Sequence, residues 1–438
     1  MHVDNQTLVE LDIINNQGIG LSIIDYVDKT ITTGGKYHLR NYFLNPPDNL
    51  ATLIDQQQTI KYLTKHLNEF ILPFNNNKIR SLENYLSSNI DILENVNLFE
   101  VARFCIIDKP AYQYIKESII EVIAFVNGFY KLLINIKNED VPILNRFYTS
   151  IESIIKDESF IEACFLYSKP TLFSLRIFKA DKLIRKSLAM KLNSLIQYYY
   201  DFDALYSMAN CTVENNLTFP DFSSDERLFE AENLYHPLLE NSKPYNITIC
   251  NKSNFIFLTG PNMSGKTTFL KTVGISLVLS HVGMGIPADK AKLSYFDRLF
   301  TSLNITDNIL AGYSFFYNEV RRVKQLAEYL NKGENVFSLF DELFRGTNVK
   351  DAFDASILII SGLVQWKKSM FILSSHLWEI ADHLDCYKNV RYLSFETIEK
   401  NGKHFFTYKL IPEISNIRLG MNIINNEQIM ELLNSGNK

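Results

Sequence analysis

One short segment, GPNMSGKT at Gly260–Thr267, constrains this chain more than any other part of it. It fits the pattern G-x-x-x-x-G-K-[ST], follows the apolar run Phe255–Leu258 and opens an apolar helical stretch, Phe269–Leu279. In such a strand–loop–helix the backbone N–H groups of the loop wrap phosphate oxygens, and the helix turns its positive dipole end toward them. Lys266 is then placed to reach the β- and γ-phosphates of ATP, and the Thr267 hydroxyl to complete a Mg²⁺ shell. Gly260 and Gly265 stand where the backbone must turn tightly or approach the ligand closely. The nucleotide-binding set read from the segment is Gly260, Pro261, Asn262, Met263, Ser264, Gly265, Lys266, Thr267 and Thr268.

Downstream, Asn335–Glu342 (NVFSLFDE) is an apolar strand ending in two carboxylates. Asp341 suits Mg²⁺, and Glu342, one residue on, suits a general base that polarises the attacking water. Solvated loop charges are the plain alternative. The next apolar run, Met370–Ser374, leads into His376, which could contact the γ-phosphate or the attacking water.

The chain changes character near residue 224. Before it the text is mainly helical, with apolar residues at steps of three and four through Ile119, Ile123, Val126 and Tyr130. The clearest case is Leu188, Leu192, Leu195, Tyr199, Phe202, Tyr206 and Ala209, a heptad seam that predicts packing along another helix. No Pro or Gly lies between Leu172 and Asn210, so one helix is expected there, spanning on the order of 60 Å at 1.5 Å per residue. A core helix of a bundle and a lever between distant sites both fit it. After the turn-rich stretch Asn215–Glu226, β-branched and aromatic runs alternate with helical segments: Asn254–Thr259, Asn335–Phe340, Ser369–Ser374 and Phe405–Leu410. Alternation of this kind predicts an α/β domain with a largely parallel sheet. The expected division is 1–224, mainly α-helical, and 225–438, an α/β phosphate-loop ATPase domain ending in a short helical tail.

GPNMSGKTT, Asp297–Val320 (DRLFTSLNITDNILAGYSFFYNEV), Phe340–Asn348 (FDELFRGTN) and Leu373–Leu377 (LSSHL) resemble, in order and spacing, the ATPase motifs of the MutS family. Asp4–Leu11, Ser22–Leu44 and Asp201–Ala209 resemble that family's core and lever domain. The resemblance implies an ABC-type ATPase domain preceded by a helical core and lever domain. It implies ATP with Mg²⁺, and a homodimer, or a heterodimer with a related subunit, carrying two composite sites. Lys266, Thr267, Asp341, Glu342 and His376 of one subunit would meet Ser314 of the other; Tyr313 and Phe315 replace the family's usual neighbours of that serine. By the same carry-over Tyr245, shortly after Tyr235–His236–Pro237, would stack on adenine, a half-buried surface aromatic being the alternative. The family's mismatch-reading, connector and clamp modules are expected to be absent.

A net charge of −5 does not advertise a nucleic-acid binder, so DNA contact would need a local patch. Arg176–Lys191 supplies a candidate: Arg176, Lys179, Lys182, Arg185, Lys186 and Lys191 stand against a single acid, Asp181, with Arg176, Lys179, Lys182 and Lys186 the candidate contacts and a solvated helix face the alternative. The five scattered cysteines never form a CxxC pair, which argues against a metal cluster or disulfide framework. A polar N-terminus without a basic and apolar leader, and no uninterrupted apolar span, point to a cytoplasmic protein away from membranes. Two functions from different classes remain: a DNA-associated ATPase of repair or recombination, and a nucleotide-gated assembly or regulatory module that does not bind DNA itself.

Overall fold

A computed structural model describes residues 1–15, 20–94, 96–134, 136, 141–168, 175–223, 227–261, 264–303, 315–400 and 403–415. The chain forms two compact units: Met1–Tyr26, Phe43–Leu53 and Asn215–Lys438 make one, Val27–Tyr42 and Ile54–Glu214 the other. The division differs from a single cut near residue 224. Helical pattern and the resemblance put residues 1–26 in the helical half, yet Thr7 and Glu10 bond to Thr301 and Leu303 at the end of β7 in the first unit.

That unit is α/β, with a mixed sheet. Its strands are β1 (His2–Val3), β2 (Asp221–Phe222), β3 (Leu228–Leu234), β4 (Tyr245–Cys250), β5 (Phe255–Thr259), β6 (Lys290–Leu293), β7 (Arg298–Ser302), β8 (Val336–Asp341), β9 (Met370–Ser375), β10 (Val390–Lys400) and β11 (Lys403–Ile411). The main sheet runs β1-β7-β8-β9-β5-β10-β11, parallel throughout except for the final β10–β11 hairpin. A second sheet, β2-β6-β3-β4, carries the remainder. β5, β8 and β9 are buried at every residue. Their unbroken apolar runs are what a parallel strand covered on both faces requires. All four strands read from the sequence are present, within one or two residues of β5, β8, β9 and β11.

The N-terminal segment completes this unit. β1 pairs with the edge of β7, and Asp4 caps the helix Asn5–Glu10 through the Thr7 amide at 2.8 Å. Thr301 Oγ1 and the Leu303 amide both donate to Glu10 Oε2, at 2.5 and 3.0 Å.

In the helical unit the heptad seam is buried at Leu188, Leu192, Leu195, Tyr199, Phe202 and Ala209, while Tyr206 is half-buried. In Lys109–Leu133 the buried stripe is Ile115, Ile119, Val122, Val126, Phe129 and Leu133, so Ile123 and Tyr130 flank the core rather than define it. The long helix expected across Leu172–Asn210 is not one α-helix. An α segment, Leu175–Lys182, passes into a π turn, Leu183–Ser187, and a second α segment runs Ala189–Glu214. At the π turn Arg185 points inward. Its guanidinium meets the buried Asp181 carboxylate at 2.5 and 2.6 Å and the Ile90 carbonyl at 2.7 Å, and Tyr85 donates to the same carboxylate at 2.7 Å. Among the described residues no helix is long and apolar enough to cross a membrane.

Candidate functional site

Three neighbouring strands deliver the site. β8, β9 and β5 lie side by side, with Asp341 in register with Ser374 and Thr259 with Ser375. Side chains leaving their carboxyl ends therefore converge at one edge of the sheet, where open α/β sheets place their ligands.

β5 ends at Thr259. Gly260 turns at φ +145° and Gly265 at φ +104°, and the helix Lys266–His281 starts directly behind them. A side chain at Gly260 would meet Ser264 Oγ at 3.1 Å, and one at Gly265 would meet the Tyr408 ring at 3.3 Å. The loop therefore closes on itself only with glycine at both turns. Ser264 Oγ is buried within it and makes no hydrogen bond among the described residues. The buried Lys266 ammonium bends back over the loop and donates to the Gly260 and Pro261 carbonyls at 2.8 and 3.1 Å. Burial lowers its pKa, against the raising effect of Glu342 and Asp341 nearby.

Thr267, one residue into the helix, donates from Oγ1 to Asp341 Oδ2 at 2.6 Å. Ser374 donates to the other oxygen of the same carboxylate. Glu342 lies just past the strand, at φ +66°, and its amide donates to the Ser374 carbonyl at 2.9 Å. Its carboxylate is bracketed by His376 Nδ1 on Oε1 and Arg345 Nε on Oε2, each at 3.0 Å. Burial raises the Glu342 pKa, but the His376 hydrogen bond and the Arg345 charge outweigh it and hold the carboxyl below its usual range. The same hydrogen bond raises the His376 pKa. Arg345 also donates to the Asp341 carbonyl at 2.5 Å.

The structure thus brings Lys266, Thr267, Asp341, Glu342 and His376 together. Asn262, Met263 and Ser314 lie outside the described residues. Tyr245 lies on β4, largely buried. It is 4% exposed and packs nearly perpendicular to Phe269 and Phe395, with centroids 5.3 and 5.9 Å away. In that packing its hydroxyl lies 3.9 Å from where a side chain on Gly265 would begin, so the ring stands against the loop. The accessible aromatic beside the loop is Tyr408, 38% exposed at φ +58° on β11, which the sequence reading passed over. Arg345 and Ser374 were also passed over. The RGT after the acidic pair flags Arg345, and Ser374 lies within the LSSHL motif without a role of its own in that reading.

Two of the four candidate DNA contacts, and Lys191 beside them, are engaged within the chain. Lys182 and Lys186 converge on Glu94, Lys182 also donating to its carbonyl at 2.8 Å, and Lys191 meets Asp157 at 2.5 Å. Lys179 is exposed and Arg176 half-buried.

Residues 256–433 match the family model described as MutS domain V. The DNA mismatch repair protein MutS of Lactobacillus johnsonii is 27% identical over 238 residues, covering 53% of this chain and 28% of that protein. MutS of Anaplasma phagocytophilum is 30% identical over 227 residues, covering 51% and 27%. The DNA mismatch repair protein MSH3 of Vanderwaltozyma polyspora is 27% identical over 248 residues, covering 54% and 24%. The chain thus aligns with roughly a quarter of the length of these relatives. Residues 256–433 match MutS domain V, and over about half of its length the chain is similar to MutS-family proteins.

Proposed function

We propose that this chain is a phosphate-loop ATPase that binds ATP with Mg²⁺, hydrolyses it, and uses the nucleotide state to set its hold on DNA or on a partner. The observation that carries the reading is the convergence of Lys266 and Thr267, Asp341 and Glu342, and Ser374 and His376 at the ends of three adjacent strands.

The residues fit the nucleotide. Among the described residues the loop holds a buried hydroxyl at Ser264 with no hydrogen bond, a buried ammonium donating to two loop carbonyls, and two glycine turns. A hydroxyl beside a carboxylate, Thr267 with Asp341, is the hard oxygen pair that suits Mg²⁺. When bound, the nucleotide supplies the phosphoanhydride to be cleaved and the metal neutralises charge on its phosphates. Lys266 exchanges its carbonyl partners for phosphate oxygens. Glu342, kept ionised by His376 and Arg345, accepts a proton from the attacking water at a carboxylate oxygen. Tyr408 offers its exposed ring beside the loop for base stacking. Ser314 of a second subunit would complete the site, closing a dimer and moving the helical unit.

A specific observation favours the second reading, a nucleotide-gated regulatory module without DNA binding of its own: Lys182, Lys186 and Lys191 are paired with acids of this chain and Arg185 is buried. Titration with duplex, mismatched and branched DNA across salt separates the two. Contacts from Arg176 and Lys179 alone give a slope of log K against log salt of about −2. No affinity in any nucleotide state removes the DNA-acting reading.

A further inference from the structure

Glu319 has no part in the chemistry above, yet it is built into the site. It lies on the helix Phe315–Asn331 and is 5% exposed. Its two carboxylate oxygens accept the Arg345 and Gly346 amides at 3.0 and 3.1 Å, and the Phe344 amide also acts on it. A buried carboxylate is costly unless hydrogen-bonded, so consecutive amides and the acid hold each other in place. Burial raises the Glu319 pKa, and the amides and the Arg345 charge oppose that rise.

What these amides belong to matters. Glu342 and Phe344 both stand at positive φ, +66° and +62°. Such backbone persists only where surrounding contacts over-determine it. The next residue, Arg345, carries the guanidinium that brackets Glu342 and touches the Asp341 carbonyl. The helix bearing Glu319 is itself anchored one turn on. Arg322 donates to the Thr301 carbonyl at 2.8 and 2.9 Å and to Asp4 at 2.6 Å. The carboxylate therefore sits on a platform tied to the sheet.

We propose that Glu319 is a positioning residue for hydrolysis: by fixing the 344–346 backbone it sets Arg345, and through Arg345 the orientation of the Glu342 carboxylate. The inference rests on Glu342 being the general base. A bracket of purely structural value would lower stability, nucleotide affinity and turnover together. A positioning role separates turnover from binding.

The experiment compares wild type, Glu319→Gln and Glu319→Asp in the full chain. It reads ATP turnover, equilibrium binding of a fluorescent ATP, Tm, and amide hydrogen exchange over 344–346 without nucleotide. Glu319→Gln, which replaces one acceptor by a donor facing an amide, is expected to lower kcat about tenfold to 10²-fold, as small misplacements do. Its ATP affinity should stay within about threefold of wild type, the 345 and 346 amides should exchange faster, and Glu319→Asp should regain part of the rate. Should Glu319→Gln not fold, Glu319→Asp alone decides, through a lower kcat at unchanged ATP affinity. Wild-type kcat in the folded variant, or kcat falling only in step with Tm and affinity, overturns the inference. Glu342→Gln, run alongside, keeps the two claims apart. If it turns over ATP normally, the base assignment fails and this inference with it; if it is dead while Glu319→Gln is fully active, only the role of Glu319 fails.

Discussion

Leu11 fills the space that a side chain on Gly274 would need: its Cδ2 stands 2.5 Å from where a Cβ would sit, and Leu339 Cδ1 is 3.1 Å away on the other side. Gly274 lies inside the helix Lys266–His281, where alanine is the better helix former by about 1 kcal/mol. Packing opposes that gain. Overfilling a tight core costs about 1–3 kcal/mol. Gly274→Ala is therefore expected to lower Tm, and Gly274→Ala with Leu11→Ala to cost less than the sum of the two single changes, since the new methyl group enters space that Leu11 vacates. A single variant more stable than wild type in thermal unfolding would contradict this.

Glu342→Gln should lower ATP turnover by about 10²–10⁴-fold, the usual worth of a general base. It should leave equilibrium ATP binding intact, because Lys266 and the loop are untouched. Lys266→Ala should remove binding itself. Turnover by Glu342→Gln at the wild-type rate would reassign the base.

The Glu342–His376 pair makes stability depend on pH in a defined window. His376 is raised above its ordinary 6.5, so its contribution is present below pH 6.5 and is lost as pH rises through the raised value. Glu342 is depressed below 4.5, so its contribution is present above pH 4.5 and is lost as pH falls through the depressed value. The Tm difference between wild type and His376→Gln should be largest between pH 4.5 and 6.5 and shrink on either side. A difference independent of pH from 4 to 8, on a scan in steps of about one unit, would show that the pair does not titrate as a pair.

The Arg185–Asp181 pair, 2% and 0% exposed, sets a different expectation. Removing one partner of a buried pair costs about 3–5 kcal/mol because the other charge is stranded. Arg185→Met should destabilise the helical unit by that order in urea unfolding. Arg185→Met with Asp181→Asn should be milder, since neither charge then remains. A single variant within about 1 kcal/mol of wild type would mean that Tyr85 and water suffice for Asp181.

Features that are contiguous in sequence were legible in it. The loop at Gly260–Thr267, the acids ending β8 and the buried strands each announce themselves within a dozen residues. What the sequence hid are partnerships across distance. Ser374 answers Asp341 only because β8 and β9 are neighbours in register, and Glu319 answers Arg345 only once a helix and a loop have met. The Phe269 and Phe395 rings packed against Tyr245 could not be read locally either. The π turn at Leu183–Ser187 escaped for a similar reason, since Arg185 looks like one more surface cation until Asp181 and Tyr85 enclose it.

The N-terminal segment has a consequence for the order in which the molecule can be made. Glu10 and Thr301 are 291 positions apart, and everything from 54 to 214 is paid out between them. A ribosome would release the whole helical unit before the partners of β1 exist. Closing a loop of that size costs an entropy on the order of 5 kcal/mol, nearly independent of modest changes in its length. That cost falls if the intervening chain has already condensed and drawn the two ends together. Helices first and sheet last is then the cheaper sequence of events, and the opening residues must wait, apolar side chains exposed, for β7 to arrive.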